Sequence, residues 1–378
     1  MAVNPDSHTR KRKRVTNQWG LDPFPWYEQM LHEEPVHYNE EEQGWDIFRY
    51  QDIKEILLSP ALYSSERVKD PEDLVSRDAP RHQELRALMV EAFTSCLPSP
   101  TRIREIATEL LASGTSGHLD MIGDIAIPLP IRVIAEMLGV PMADLPMMTS
   151  WSKTFVSAEG KQAEVSLAKY FMNLIAQKRM SPGNDITSAM LQAEIQGKLT
   201  MRELVTNCVL LFVAGNETTT NLIGNAMHCF EEHPGVLQQL QEDPTLIPGA
   251  LEEVLRFRSP VQRTPRVART DVIIADHQIK AGQYLYLWLG AANRDPEQFP
   301  NPNGFDIKRS PSHHLAFGHG VHFCMGAALA RLEAKVALEC LLERFCEIER
   351  DQATPLQPAD TFFGLGLKEY HVTVKPRN

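Results

Sequence analysis

A single cysteine lies in a ten-residue segment whose composition suits a metal-binding thiolate. In the segment Phe317-Gly-His-Gly-Val-His-Phe-Cys-Met-Gly326, Cys324 stands among three glycines and two histidines. Glycine adopts backbone angles closed to other residues, so Gly318 and Gly320 allow backbone N–H groups to turn toward one sulfur. A helix predicted over Ala327–Arg344 would direct its positive dipole end at that sulfur and favour the thiolate. The alternative is a glycine turn around a buried structural cysteine.

A second candidate lies inside a long helix predicted over residues 201–233. Its segment Ala214-Gly-Asn-Glu-Thr-Thr219 combines a glycine, small side chains and hydroxyls. Interior glycine costs ~1 kcal/mol relative to alanine, and threonine can bond the carbonyl four residues earlier, so a thin, locally distorted helix is expected. Such a face admits a flat cofactor, and the Thr218 hydroxyl beside the Glu217 carboxylate can relay protons. A close helix–helix crossing would use the same small residues.

Charged residues complete the candidate set. Glu253 and Arg256 lie three residues apart on a predicted helix, where a surface pair contributes only ~0.2–0.5 kcal/mol. Because the flanking sequence is apolar, the pair can instead form a rigid structural unit that is costly to separate. Several basic residues can neutralise an anionic cofactor edge, although an exposed charge explains any one of them. These residues are His82, Arg86, Arg266 and His322.

The elements that must position these residues are mainly helical. Thr200-Met-Arg-Glu203 predicts a capping box at the start of the long helix and Pro234 predicts its end, so the helix would span roughly 50 Å. Apolar spacing predicts further helices over 80–94, 101–113 and 131–138, whereas beyond Trp151 the helices are expected to be short. Alternating stretches over 271–279 and 284–289 predict strands.

The organisation predicted is one large, mainly α domain with small β-sheets. No boundary separates independent domains within residues 19–378, and residues 1–18 are expected to form a disordered basic tail around Arg10-Lys-Arg-Lys-Arg14. The net charge of −11 argues against a general nucleic-acid binder. Six cysteines without a C-x-x-C pair, and no apolar run of ~18–20 residues, predict a cytoplasmic protein without a membrane anchor. We expect a monomer.

Together these motifs resemble those of the cytochrome P450 superfamily, the haem-thiolate monooxygenases. The cysteine segment matches F-G-x-G-x-H-x-C-x-G at every specified position, residues 253–256 match E-x-x-R, and residues 214–219 match A-G-x-E-T-T. The resemblance runs from about Trp26 to Val374. It implies the single-domain P450 fold, with haem b (iron protoporphyrin IX) between the long central helix and the helix that follows the cysteine loop.

The resemblance also implies roles for individual residues. Cys324 is implied as the proximal ligand of the haem iron, with Gly318 and Gly320 tuning the thiolate through backbone donors. Glu217 and Thr218 are implied as the acid–alcohol pair that guides protons to dioxygen. The other implied cofactor contacts are His82, Arg86, Ala214, Arg266, Phe317, Gly318, His322 and Gly326. The implied substrate-pocket residues are Leu210, Ala214, Val261, Gln262, Thr264, Phe362 and Phe363.

The implied activity is O₂-dependent monooxygenation of a hydrophobic small molecule. Relatives that share Asn-Glu-Thr-Thr-Thr-Asn at 216–221 hydroxylate fatty acids, terpenoids and steroids. Because the chain has no flavin or iron–sulfur segment, electrons are expected from a ferredoxin or flavodoxin with an NAD(P)H-dependent reductase. Arg331 and Lys335 are candidates for the docking face of that partner, or for a solvated helix face.

Two other functions remain in view. An H₂O₂-driven peroxygenase is the second hypothesis, and a non-catalytic haem-binding sensor is the third. The presence of both Glu217 and Thr218 argues against each, because neither function needs protons delivered to dioxygen.

Two features depart from the family pattern. Gly304 stands where many members carry a third basic residue that pairs with Glu253, so the Glu253–Arg256 unit is expected to be weaker or to be completed by another residue. Residues 65–78 and 152–185 are short for segments that would form the roof of the substrate pocket. A short lid over an open or mobile pocket is therefore expected.

Overall fold

Helices make up most of the structure. In the computed structural model, residues 20–112, 117–155, 160–310, 312–361 and 364–377 are described. The α-helices in these ranges are α1 (Phe24–Glu33), α2 (Tyr50–Leu58), α3 (Arg81–Ser95), α4 (Pro100–Leu111), α5 (Pro128–Leu138), α6 (Leu145–Phe155), α7 (Gly160–Met180), α8 (Ile186–Ile195), α9 (Met201–Glu232), α10 (Val236–Glu242), α11 (Ile247–Phe257), α12 (Leu289–Ala292) and α13 (Ala327–Arg344). Short 3₁₀ turns lie at Leu74–Ser76, Met142–Asp144, Pro244–Leu246 and Gly320–His322, and a π-helical turn lies at Met121–Ala126.

The strands are short and form three small sheets. They are β1 (Val36–Asn39), β2 (Gly44–Ile47), β3 (Tyr63–Ser64), β4 (His118–Asp120), β5 (Thr264–Ala268), β6 (Val272–Ile274), β7 (His277–Ile279), β8 (Tyr284–Leu287), β9 (Phe345–Arg350) and β10 (His371–Pro376). The largest sheet has the order β1-β2-β8-β5-β3, in which β2 and β8 are parallel and the other neighbours are antiparallel. The others are β4-β10-β9 and the hairpin β6-β7.

The 32-residue helix α9 passes through the hydrophobic core. All residues from 219 to 230 are buried, and a run of this length covers every face of a helix. The predicted capping box is confirmed: the Glu203 N–H donates to the Thr200 side chain at 3.1 Å, and the Thr200 N–H donates to the Glu203 carboxylate at 2.9 Å. The helix runs without a break through residues 214–219.

Most of the other predicted elements are confirmed, and two predictions were wrong. The stretch 271–279 forms a hairpin instead of one strand, because Ala275 and Asp276 adopt positive φ angles of 44° and 68° and turn the chain back. Beyond Trp151 the helices are not all short, since α7 contains 21 residues. Its buried positions Leu167, Phe171 and Leu174 recur at helical spacing, which supplies the packing that favours a long helix.

Two features bear on the expected organisation. The predicted basic tail, residues 1–18, lies outside the described residues. Among the helices in the described ranges, none is both long and apolar enough to cross a membrane.

Candidate active site

Both candidate motifs line one internal cavity of ≈ 320 Å³ between α9 and the cysteine loop. Ala214 lies in the middle of α9 and Cys324 lies three residues before α13, yet both are exposed. The cavity is the surface to which they are exposed. Predicted site residues that line this cavity are Arg86, Leu210, Ala214, Thr218, Val261, Thr264, Arg266, Phe317, Gly318, His322, Cys324 and Gly326.

The cysteine loop holds Cys324 through its backbone. The N–H of Cys324 donates to the carbonyl of Phe317 at 3.0 Å, which closes the loop. Burial raises the pKa of the Cys324 thiol, but the backbone N–H of Gly326 and the positive charge of Arg86 act in the opposite direction. The start of α13 therefore provides the thiolate-stabilising donor, as its position in the sequence predicted.

The two glycines that were expected to donate to the sulfur shape the backbone of the cysteine loop. The N–H of Gly318 donates to the Leu315 carbonyl at 2.8 Å, and its φ of 71° makes the turn. Gly320 has a φ of 72°, and a β-carbon there would lie 2.5 Å from the Leu57 carbonyl oxygen. The Gly318 N–H is thus committed to Leu315, which corrects the expectation that it donates to the thiolate, while Gly320 lets the loop approach α2.

Basic side chains gather at one part of the cavity. Arg86, Arg266 and His322 line it. His82 packs behind His322, with ring centroids 4.1 Å apart. Burial, together with the neighbouring His82 and Arg266, lowers the pKa of His322 to about 3. Burial also lowers the pKa of Arg266 to about 10, with a contribution from Arg67.

This cluster fits the anionic edge of the implied haem. The Nε2 atom of His82 is buried and has no hydrogen-bond partner among the described residues. An anion bound among these basic groups, as a propionate would be, stabilises their protonated forms and accepts hydrogen bonds from them. Apolar side chains such as Met89, Phe93 and Leu222 line much of the remaining cavity. The donor set thus suits a flat apolar group that carries carboxylates and takes a thiolate ligand.

The A-G-x-E-T-T segment presents a thin face to this cavity. The Thr218 hydroxyl donates a hydrogen bond to the Ala214 carbonyl at 3.0 Å, the bond expected from the sequence. With its proton donated along the helix, the Thr218 oxygen keeps lone pairs that can accept a further hydrogen bond from the cavity. The alternative of a tight helix crossing is not what occurs at Ala214, whose side chain faces the cavity.

A second cavity, of ≈ 360 Å³, adjoins the first on the roof side. The residues that line both cavities are Val75, Thr218, Pro260, Val261, Thr264 and Arg266. Glu217 lines the second cavity, together with the apolar Phe155 and Val213. Thr218 therefore lies at the junction between the cavity that contains Cys324 and an adjacent chamber beside Glu217.

The predicted substrate-pocket residues do not all reach these cavities. Leu210, Val261 and Thr264 do. Gln262 does not: it is fully buried, its side-chain oxygen accepts from the Tyr27 hydroxyl at 2.6 Å and its amide donates to the Ser259 carbonyl. Its prediction as a pocket residue is corrected, because its polar side chain is consumed by structural hydrogen bonds. Phe362 and Phe363 lie outside the described residues.

The roof segment, residues 65–78, is tethered to the rest of the protein by side chains. The Asn207 side chain, in α9, accepts from the Leu74 N–H at 2.9 Å and donates to the Glu72 carbonyl at 3.0 Å. At the other end of the segment, the Asp78 carboxylate bonds Ser64 and Arg269. The segment is held at defined points.

The predicted Glu253–Arg256 pair is the centre of a buried network. Arg256 is 0% exposed and donates to both Glu253 oxygens, at 2.8 and 2.7 Å. Its remaining hydrogen bonds go to the carbonyls of Asn293, Pro302 and Gly304. A buried pair with all these partners is costly to separate, which agrees with the structural alternative and not with a solvated surface pair.

Arg309 completes this network where the family pattern has a basic residue at position 304. Its guanidinium donates to the Glu253 carboxylate at 3.1 Å and to the Gly304 carbonyl at 3.1 Å. A β-carbon at Gly304 would lie 2.3 Å from the side-chain nitrogen of Asn301, so a larger residue there would displace that amide. The network is completed by another residue, which was one of the two expected outcomes.

Several residues of the site carry no motif in the sequence. Arg309 lies in a proline- and asparagine-rich stretch without periodicity, and Asn207 is a single amide in the apolar half of α9. Glu333 in α13 is a buried carboxyl that lines the first cavity, and burial raises its pKa well above the ordinary value. The sequence hints at Asn207 and Glu333 only because each is a polar residue at an otherwise apolar helical position.

Comparison with known proteins identifies the family. The profile of the family described as Cytochrome P450 matches residues 129–376. A cytochrome P450 of Bacillus subtilis strain 168, YjiB, is 40% identical over 373 residues that cover 93% of each chain. The crystal structure of CYP109E1 from Bacillus megaterium has a TM-score of 0.88 at 38% identity and covers 93% of this chain and 98% of that chain.

A further solved structure agrees over the same length. P450BioI has a TM-score of 0.88 at 34% identity, covering 94% of this chain and 98% of that chain. Both solved structures share more than one third of their residues with this chain over nearly its whole length. Membership in the same family explains why the cysteine loop, the central helix and the basic residues meet at one cavity. The chain belongs to the cytochrome P450 family, a family of monooxygenases whose cofactor is haem b.

Proposed function

We propose that this cytochrome P450 inserts one atom of O₂ into a hydrophobic small molecule of the steroid or fatty-acid type, with electrons from a ferredoxin or flavodoxin and its reductase. The observation that carries the proposal is the position of Thr218. It lies between the cavity that contains Cys324 and the chamber that Glu217 lines. A hydroxyl and a carboxyl adjacent in sequence at this junction are suited to deliver protons where oxygen reacts.

Different residues around the cavity would bind the cofactor and move protons. Cys324 would hold the haem iron, and His82, Arg86, Arg266 and His322 would hold its propionates. The bound haem supplies oxygen activation, which thiolate ligation favours. Thr218 would accept a hydrogen bond from a group in the cavity and pass on a proton that Glu217 renews from the roof side.

The lining of the roof-side chamber supports an apolar substrate. Val75, Val213 and Val261 are among its walls, and Phe155 adds an aromatic surface. Solved structures of two relatives contain molecules of this kind: CYP109E1 is in complex with testosterone, and P450BioI is in complex with an acyl carrier protein ligated to hexadec-9Z-enoic acid. Both ligands are extended and mainly apolar, so burial in such a chamber is favourable.

The test compares two ways of driving the reaction in holoenzyme. In wild type, NADPH with a ferredoxin and its reductase should give faster product formation from a bound steroid or fatty acid than H₂O₂ alone. Thr218→Ala should lower the product formed per NADPH by about tenfold, less than the ~10²–10⁴-fold that a positioned proton donor typically contributes, because water partly replaces the hydroxyl. H₂O₂-driven turnover should change little, since its protons arrive with the oxidant.

Thr218→Ser is the matched control, because it keeps the hydroxyl and should keep most of the coupling. Unchanged coupling in Thr218→Ala would contradict the proton-relay role. Faster turnover of wild type with H₂O₂ than with the reductase system would favour a peroxygenase. Absence of turnover with either oxidant system, despite bound substrate, would favour a haem-binding sensor.

A further inference from the structure

Glu252 joins the two segments that flank the cysteine loop. It precedes the buried Glu253 in α11, and its carboxylate accepts two hydrogen bonds from Arg331 in α13, at 2.6 and 2.9 Å. The same carboxylate bonds Nε2 of His314, in the segment leading into the loop, at 3.1 Å. One carboxylate therefore holds the chain on both sides of Cys324.

The hydrogen bonds of His314 define its tautomer. Its Nδ1 accepts from the backbone N–H of Ala316 at 3.2 Å, so this nitrogen carries no proton. In the neutral ring the proton is then on Nε2, which donates to Glu252. Burial alone would raise the pKa of Glu252, but the hydrogen bonds from Arg331 and His314 outweigh it and hold the pKa at about 2. Glu252 is an anion at neutral pH.

Arg331 lies next to the residues that surround the sulfur. Its guanidinium carbon is 4.4 Å from the centroid of the Phe317 ring, and the Phe317 carbonyl accepts the hydrogen bond from the Cys324 N–H. Burial raises the pKa of Cys324, and the positive charge of Arg331 is one of the influences that lower it, together with the Gly326 amide. Arg331 and Glu252 thus form a pair of opposite charges against the cysteine loop.

This pairing changes the expected use of Arg331 as a docking residue. A bidentate bond to Glu252 and contact with Phe317 commit the guanidinium to the cysteine loop, although its side chain remains 36% exposed. Lys335, the second docking candidate, lies 3.4 Å from Glu339.

We propose that Glu252 is a positioning residue that holds Arg331 over Phe317. By compensating the positive charge of Arg331, it would set the reduction potential of the iron bound to Cys324. The proposal rests on the ligand role proposed for Cys324. Reduction adds one electron to the site, so an uncompensated positive charge nearby favours the reduced state and an uncompensated negative charge opposes it. Partial exposure of the pair allows solvent to screen part of this effect.

Opposite charges predict opposite shifts. Glu252→Gln keeps the size of the side chain but leaves Arg331 uncompensated, so the reduction potential should rise. Arg331→Gln leaves the Glu252 carboxylate uncompensated, so the potential should fall. The double variant should return toward wild type. A merely structural role would loosen the loop in both single variants and move both potentials in the same direction.

The experiment is a potentiometric titration of each purified holoenzyme, with haem content and the CO-bound spectrum recorded for every variant. Glu252→Asp keeps the charge and should stay near wild type. Glu136→Gln is the matched control: Glu136 also makes a bidentate bond, to Arg102, with similar exposure, but this pair joins α4 to α5 instead of α11 to the helix after the cysteine loop. It should leave the potential unchanged.

Two results would overturn the proposal. One is a shift of the same sign, or no shift, in Glu252→Gln and Arg331→Gln when both retain the spectrum of thiolate ligation. The other is a shift in Glu252→Asp as large as that in Glu252→Gln. Failure of wild type itself to show a thiolate-ligated CO spectrum would overturn the role of Cys324, and it is visible separately before any potential is measured.

Discussion

Two buried polar side chains hold segments near the cavity: Arg256 bonds the stretch that leads to the cysteine loop, and Asn207 bonds the roof segment. Arg256 carries a charge and bonds a carboxylate together with backbone carbonyls from three residues. Asn207 is neutral, and its bonds to the roof segment go to the backbone of Glu72 and Leu74. The cysteine side is therefore fixed by a fully buried charged network, whereas the middle of the roof segment is held to α9 by neutral hydrogen bonds from Asn207, with the Asp78–Arg269 ion pair only at its end.

This difference separates two tasks. Breaking a buried, fully bonded charged pair costs ~3–5 kcal/mol, whereas a neutral hydrogen bond contributes only ~1 kcal/mol. The ligand to the iron must stay in place through every turnover, which the rigid side provides. Substrate must enter and leave, and the side held by weaker bonds can open at lower cost.

The strongest test of the cysteine side is Cys324→His. Reduced holoenzyme with CO should lose the red-shifted Soret band of thiolate ligation completely, because imidazole is a neutral ligand. Cys346→Ser is the control, since Cys346 is partly exposed in β9 and does not line the cavity. Persistence of the band in Cys324→His would show that another residue binds the iron.

The next largest effect concerns the network behind the loop. Arg309→Ala should lower the free energy of unfolding of the holoprotein by about 1.5–3 kcal/mol, the usual value for a hydrogen bond to a charged group. Urea denaturation measures it. Arg102→Ala removes a partly exposed ion pair and should cost only about 0–1 kcal/mol. Equal losses of unfolding free energy in the two variants would show that Arg309 does not stabilise the network. Nothing would then replace the basic residue that is missing at Gly304.

The smallest effect is expected on the roof side. Asn207→Ala should cost about 1 kcal/mol. The amide of Leu74, which loses its acceptor, should exchange its hydrogen faster with solvent, while amides of α11 keep their protection. Asn225→Ala is the control, because Asn225 lies in the same helix but donates to the carbonyls of Arg258 and Leu365. Unchanged exchange at Leu74 would mean that the roof segment does not depend on this tether.

Much of the fold was predictable because local patterns were strong. The capping box at Thr200 and Glu203, the stop at Pro234 and the apolar run between them predict α9 to within one residue of its end. The hairpin at 271–279 was missed, since the turn residues Ala275 and Asp276 carry no glycine signal. The length of α7 was also missed, because its helical pattern becomes clear only once the surface it packs against is known.

For the candidate site, motif residues were predictable and their supporting partners were not. Cys324, Thr218 and Arg256 stand in recognisable segments, and the structure brings each to the predicted neighbourhood. Gln262 has the same apolar neighbours in sequence as a pocket residue, but its side chain turns to Tyr27 instead of the cavity.

The sequence by itself determined the family, the ligand candidate, the central helix and the residues that would move protons, because these depend on spacing along one chain. Only the tertiary structure decided that Arg309 replaces a basic residue missing at Gly304, that Asn207 tethers the roof, and that Glu252 pairs with Arg331 beside Phe317. Each of these contacts joins residues whose separation along the chain carries no periodic signal. Their positions follow from how helices and loops pack in three dimensions, which no local pattern encodes.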